Sequence, residues 1–226
     1  GLQKFSDQYT LNFLGNRKEV RDVYENKLYF RQALEASGIK PISGEVFSYK
    51  DITWETVRRL IGKYGGKVVL QAAELVFGGG VGTAFIEQKE DFDNYIARIE
   101  KIRNSPEVPR RVDNVIATRY IEGTPSSIIG VATKFGVITG CIQTQLQDIS
   151  DVCFLGKGNG VYCGHDWSYE KYSDKVTLKA NEITTKFGQY IYRKGYRGIF
   201  GLDLMIDENI SEVFIVFSMH CLAGEL

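Results

Sequence analysis

Apolar positions recur along this chain with two periods, and the change between them divides it. Up to Gly38 the spacing is helical. Arg17-Lys-Glu-Val-Arg-Asp-Val-Tyr24 reads as a first helix capped by Asn16, and Lys27 to Ser37 as a second, with Leu28, Phe30, Ala33, Leu34 and Ala36 apolar and Gly38 closing it. Ile39-Lys-Pro-Ile42 starts an extended segment. Thr53 caps an amphipathic helix that Gly62 stops. Next, Lys67-Val-Val-Leu-Gln-Ala-Ala-Glu-Leu-Val-Phe77 and Thr83-Ala-Phe-Ile-Glu87 read as strands around Gly78-Gly-Gly-Val-Gly82. The helical pattern resumes from Asp91 to Arg103, with Phe92, Tyr95, Ile96 and Ile99 on one face.

From Asn114 the period shortens to that of strands. Val115 to Ile121 is a strand, Glu122-Gly-Thr-Pro125 turns the chain, Ser126 to Thr133 returns, and Phe135 to Thr139 begins another strand, which together predict an antiparallel meander. Cys141 to Asp166 is glycine-rich and carries no clear period; Gly156-Lys-Gly-Asn-Gly160 within it reads as an exposed loop. Ser173 to Tyr192 is an amphipathic helix with Val176, Leu178, Ile183, Phe187 and Ile191 inward. Gly198 to Ile206 and Glu212 to Phe217 are antiparallel partners across the turn Asp207-Glu-Asn209. The fold class is α+β, and no internal repeat interrupts the order.

Composition narrows the functions open to such a chain. With 28 basic and 28 acidic residues the formal charge is zero, so no global field points to nucleic acid or an anionic membrane. Apolar residues make up 43%, and no apolar run is of membrane-spanning length. Cys141, Cys153, Cys163 and Cys221 form no CxxC pair, and two histidines in the whole chain make a structural zinc site a poor expectation; free thiols in a reducing cytosol are expected. The opening Gly1-Leu-Gln-Lys-Phe suits a start inside a larger protein as well as a true N-terminus.

The glycine loop is the one stretch with evident chemistry. Phosphate-binding loops of the P-loop and dinucleotide type open a helix, whereas here a strand follows Gly82, so those readings fall. A glycine-rich hairpin can instead close over a polyphosphate with its backbone N–H groups, or be a mobile tip without a ligand. His165 and His220 have no evident partner in the sequence. Trp54 and Trp167 read as packing anchors, and Asp148, Asp151 and Asp166 as solvated loop carboxylates.

The layout resembles the ATP-grasp superfamily, in the branch like biotin carboxylase and carbamoyl-phosphate synthetase. Asn12-Phe-Leu-Gly15, Asn26-Lys27 and Ala36-Ser-Gly-Ile-Lys-Pro41 look like the segment of glycine, helix, lysine and helix that leads into the family's lid. Lys67-Val-Val-Leu-Gln71 with its glycine loop looks like the strand and phosphate-covering loop. Ala117-Thr-Arg-Tyr-Ile-Glu-Gly123 looks like the hinge that holds adenine, and Gly201-Leu-Asp203 to Phe217-Ser-Met219 falls where the family keeps its magnesium ligands. The resemblance implies a core-lobe helical segment at 1–48, a lid at 49–116 and an antiparallel-sheet core at 117–226. It also implies ATP and Mg²⁺ as cofactors and a small carboxylate activated as an acylphosphate for attack by an amine or other nucleophile. Its setting would be a cytoplasmic ligase whose further partner is a second copy or another domain of a larger chain.

Carried over by position, Lys27 would touch the α/β-phosphates and Gly78, Gly79, Gly80 and Gly82 would fold over the β/γ-phosphates. The backbone of Thr118, Arg119 and Ile121 would meet the adenine edge, Ser126 would lie near the ribose, and Asp203 would bind the metal. Three positions depart from the pattern. Gln71 replaces a second phosphate lysine, Ser126 a longer ribose-binding side chain, and Phe217-Ser-Met219-His-Cys221 stands where "E-x-N-x-R" is expected. Phenylalanine cannot bind Mg²⁺ and a thioether is a poor ligand for a hard cation. The readings are therefore an active ligase with an altered tail, a nucleotide-binding module that turns ATP over poorly, or a sheet-based interaction protein without nucleotide.

Overall fold

The computed structural model describes residues 16, 18–74, 81–105, 112–149, 162–168, 172–207 and 209–220. Two helices come first, α1 (Lys18–Glu25) and α2 (Lys27–Ala36). Asn26 between them caps α2, its side chain accepting from the amides of Leu28 and Tyr29. The Asn16 amide group pairs with Arg197 in both directions, Nδ2 donating to the carbonyl and Oδ1 accepting from the N–H, each at 2.7 Å, and so ties the start of the chain to a turn far along it.

A four-stranded antiparallel sheet forms from β1 (Gly44–Ser48), β2 (Val68–Ala72), β3 (Thr83–Ile86) and β4 (Asn114–Arg119) in the order β1-β4-β2-β3. The helices α3 (Trp54–Lys63) and α4 (Lys89–Arg103) cover one of its faces. Val57, Leu60, Tyr95 and Ile99 from the helices meet Val68, Leu70, Ala72, Val115 and Ala117 from the sheet in one apolar cluster. Thr53 caps α3 as the sequence predicts, but the helix runs through Gly62 and stops only where Gly65 and Gly66 take positive φ, a backbone region costly for other residues. The Val115 strand also departs from the predicted meander. It pairs with β1 and β2, not with the strand that follows, because its inward residues complete the apolar cluster of the smaller sheet.

The second sheet is β7-β6-β5-β8-β9, built from β5 (Thr124–Thr133), β6 (Gly136–Gln147), β7 (Tyr162–Asp166), β8 (Gly198–Asp207) and β9 (Glu212–His220), all antiparallel. β6 extends well into the stretch that shows no period in sequence. The long helix α5 (Asp174–Arg193), capped by Ser173, packs on this sheet together with Tyr24, Phe30, Ala33 and Leu34 of the first helices. Its buried side is Val176, Ala180, Phe187 and Ile191; Leu178, predicted inward, is exposed because it lies two residues from Val176 and so on the opposite side of the helix. Among the described residues no helix is long and apolar enough to cross a membrane.

Candidate functional site

Strand register decides which side chains look into the space between the sheets. In the smaller sheet Gln71 lies opposite Ile116 and Thr83, and Val69 opposite Thr118 and Phe85, so these residues share the face that α3 and α4 leave uncovered. Val69, Gln71, Thr83, Ile116 and Thr118 are nevertheless buried. Part of that cover comes from α2 and β9, which enclose a narrow cavity of about 30 Å³ lined by Lys27, Phe30, Gln71, Thr118, Ile215 and Val216, among others. Gln71 is 3% exposed, and its Nε2 has no hydrogen-bond partner among the described residues. A buried donor left without a partner is costly, which marks the position as one awaiting a ligand atom or a water.

Lys27 enters the same cavity from the first turn of α2, whose backbone N–H donates to the carbonyl of Ala73 at 3.0 Å and so fixes the helix start to the end of β2. Burial pushes its ammonium down to about 8, while the carboxylates of Asp203 and Glu74 pull the other way. Lys27 is thus a partly buried cation under the influence of the carboxylates of Asp203 and Glu74.

The larger sheet presents a polar face to the same space. Ser127 lies opposite Asp203 on one side and Gln143 on the other, and Gln145 opposite His165. Asp203 is buried and its Oδ1 accepts from Gln145 Nε2 at 2.7 Å; Gln147 Nε2 in turn donates to Gln145 Oε1 at 2.9 Å. His165 does have partners, Ser127 Oγ at 3.2 Å from Nε2 and Tyr162 OH at 3.0 Å from Nδ1. The signal for this row is present in the sequence as glutamines at alternate positions 143, 145 and 147, a period-2 polar face inside the stretch without an apolar one.

The other expected site residues fall in several places. Ser126 is turned to the opposite face of β5, fully buried, with Oγ 2.8 Å from Tyr172 OH and 3.2 Å from the carbonyl of Thr124, so the side chain is not brought to the cleft. Arg119 ends β4 with its N–H donating to Ser43 and its guanidinium 5.5 Å from the Phe214 ring; Ile121 is buried just beyond it. Gly82 accepts from the Ala72 amide at 2.8 Å at the close of the β2–β3 connection. Gly78, Gly79 and Gly80 lie outside the described residues, as do Asp151, Cys153, Gly156–Gly160 and Cys221. Trp54 packs against Phe92, whereas Trp167 is exposed and anchors nothing in the core.

Two residues that sequence reasoning missed hold the roots of the glycine loop. Glu74 accepts from the amides of Asp113 and Asn114 and from Asn114 Nδ2, the last at 2.7 Å. Arg98 reaches from α4 to donate to the carbonyl of Thr83 at 2.6 Å. Neither pattern is local in sequence, so no window of residues reveals it.

A larger cavity, about 340 Å³, opens at the edge of β9 between Lys40, Arg119, Glu182, Lys186 and Phe214. It contains neither Lys27 nor Gln71, both of which line the smaller cleft. For a metal ion the described side chains supply little: no group of three or more His, Cys, Asp or Glu residues comes together among them. Asp203, with Ser127 and Gln145 beside it, could add one carboxylate to a cation already carried by phosphates and water.

A family model described as ATP-grasp domain matches residues 78–216, more than half of the chain. The chain belongs to the ATP-grasp family. Solved ATP-grasp relatives share the fold at low identity. A biotin carboxylase–β,γ-ATP complex from Campylobacter jejuni superposes with a TM-score of 0.72 at 18% identity, covering 96% of this chain and 45% of that one. The biotin carboxylase domain of the Hydrogenobacter thermophilus 2-oxoglutarate carboxylase, in a complex that includes MgADP, gives 0.70 at 18%, covering 96% and 44%. The D-alanine–D-alanine ligase of Coxiella burnetii gives 0.67 at 16%, covering 98% and 54%. This ATP-grasp chain therefore spans about half the length of the structures it resembles. No curated protein sequence matched it.

Proposed function

We propose that the chain is the nucleotide-binding part of an ATP-grasp ligase lineage, holding ATP between its two sheets and activating a small carboxylate, with low turnover in this sequence. The observation that carries the reading is that Lys27 and Gln71 line one cleft, with the carboxylate of Asp203 near enough to act on the Lys27 ammonium. In this reading the connection after β2 is the lid loop over the phosphates, the lid is the segment 49–116, and the end of β4 with Ile121 is the hinge that meets the base. ATP supplies the phosphoryl group when bound, and the chain's own residues orient it: Lys27 at the phosphates, Asp203 toward an Mg²⁺ that arrives with them. The bound ligands in the carboxylase structures support the nucleotide and the metal by likeness of fold. A second copy or a further domain of a larger ligase would supply the rest of the carboxylate site.

Low turnover follows from residue types. Phosphoryl transfer depends on positive charge around the transferring group, and this chain has an amide at residue 71 and no oxygen ligand at residues 217 and 219. Calorimetric titration with ATP and a non-hydrolysable analogue, with and without Mg²⁺, tests the assignment. Lys27→Ala and Asp203→Ala should each weaken binding, the second only when Mg²⁺ is present. Affinity indifferent to both substitutions would overturn the site, and Mg²⁺-dependent ADP release at about 1 s⁻¹ or faster would overturn the low turnover.

A further inference from the structure

Away from Lys27, the polar row of the larger sheet runs outward to an edge where aromatic rings stand in solvent. Strand order sets β8, β5, β6 and β7 side by side, so Asp203 on β8 and His165 on β7 are three strand spacings apart, about 14 Å. A register shift in the β6–β7 pair places Gln147 opposite Tyr162 and Gln145 opposite His165. It thereby turns Tyr162 and His165, three positions apart in sequence, to the same face. Their rings meet edge to face with centroids 5.1 Å apart, and Trp167 meets His165 in the same manner at 6.0 Å.

Two of these rings are large and open to solvent: Tyr162 is 50% exposed and Trp167 58%. The tyrosine is nonetheless held in place. Its hydroxyl lies 3.0 Å from His165 Nδ1, and His165 Nε2 lies 3.2 Å from Ser127 Oγ, so the phenol is tied through the imidazole to the middle of the sheet. An aromatic surface kept in water and fixed there is preorganised for a flat partner.

The groups beside the rings select that partner. Outward of Asp203 the row holds Ser127, Gln145, Gln147 and His165, with no lysine, arginine or carboxylate among them. Nothing in it neutralises a phosphate or an ammonium, whereas amides, hydroxyls and an imidazole give and take hydrogen bonds as ligand hydroxyls require. A sugar ring joins such hydroxyls to an apolar C–H face that can lie on an aromatic ring.

We propose that Tyr162 and Trp167 form a platform for an uncharged sugar ring, with Gln147 hydrogen-bonded to its hydroxyls, and that a substrate of the neighbouring cleft carries such a ring. Gln145 acts as a positioning residue, accepting from Gln147 Nε2 and donating to Asp203. The second half of the proposal rests on the ligase reading of the cleft; the platform itself does not. The distance of about 14 Å back to Asp203 suits a molecule the size of a glycoside and not a lone ammonia or amino acid.

The indole N–H signals of Trp54 and Trp167 in a ¹⁵N-labelled chain read the platform directly, Trp167→Ala assigning them. Methyl glycosides of glucose, N-acetylglucosamine and ribose are the probes, with sorbitol as a polyol without a ring and nicotinamide as a flat ring without hydroxyls. At least one glycoside should shift the Trp167 signal with a millimolar dissociation constant and leave that of Trp54 in place, and sorbitol should shift neither. Tyr162→Ala should weaken that glycoside by about tenfold, and Gln147→Leu by about threefold or more. The platform is overturned if no glycoside moves the Trp167 signal at about 0.1 M, or if nicotinamide binds there more tightly than every glycoside. ATP titrated into the same chain keeps the two readings apart. ATP binding without glycoside binding removes the platform and leaves the nucleotide site, whereas glycoside binding without ATP binding keeps the platform and removes its place in a ligase.

Discussion

The two faces of the larger sheet use the same strands for opposite purposes. On one face Ile128, Ala132, Phe200, Leu202, Leu204 and Ile206 pack against α5 and the first helices. On the other, one residue along each strand, stand Ser127, Gln143, Gln145, His165 and Asp203. Because side chains alternate strictly, a single register fixes both faces at once: the apolar set holds the strands in place, and the polar set is positioned without packing of its own. Substitutions on the two faces should therefore have separable effects, one on stability and the other on ligand binding.

The largest break in that comparison is expected at Phe200. Its ring is fully buried, lies edge-on to Phe187 and Tyr196, and fills the space that Gly130 and Gly188 leave open; a Cβ at Gly130 would stand 2.4 Å from the ring. Phe200→Ala should cost about 3–5 kcal/mol and lower the melting temperature by on the order of 10 °C. Gln145→Ala, on the other face and half-exposed, removes one hydrogen bond to Asp203 and should cost about 1 kcal/mol, a few degrees at most. Thermal melts of the two variants side by side check this. Equal losses would mean that the polar row is part of the scaffold, and the division of labour would fail.

The same separation explains what could be read in advance. The helices, the β2–β3 hairpin and the β8–β9 pair are legible because each carries its own period and its own caps, as Thr53 and Ser173 show. The resemblance points to Lys27, Gln71 and Asp203; the first two line one cavity, and the Asp203 carboxylate acts on the Lys27 ammonium. What could not be read is anything that depends on partners distant in sequence. The pairing of Asn16 with Arg197 spans nearly the whole chain, and the Val115 strand looks like the start of a meander until β1 and β2 claim its edges. Ser126 shows how narrow the margin is, since its neighbour Ser127 reaches the cleft while Ser126 is turned into the core to meet Tyr172. A one-residue difference in a strand reverses the face, and only the register resolves it.

One further prediction, read in affinity and not in stability, isolates the cation of the cleft on which the carboxylates of Asp203 and Glu74 act. Lys27 is held down to about 8, so at neutral pH its amine is mostly protonated and opposes the charges of Asp203 and Glu74. Raising the pH through 8 removes that positive charge and leaves the carboxylates behind. A ligand phosphate favours the protonated amine, so binding of phosphorylated nucleotides couples to proton uptake above pH 8 and weakens there, whereas adenosine, with no phosphate, is indifferent. Between pH 7 and pH 9 the affinity for AMP should fall by up to about tenfold, the fraction of amine discharged over that range, and that for adenosine should stay level. The protein alone behaves in the opposite sense. A lysine whose value is lowered in the folded state binds fewer protons there than in the unfolded chain between about 8 and the ordinary 10.5, so its contribution to stability rises over that window and is flat below it. Titrations of AMP and adenosine at pH 7, 8 and 9 in two buffers of different ionisation enthalpy give the affinity and the proton count together. An AMP affinity that does not move, with no proton taken up, would place Lys27 out of reach of the phosphate.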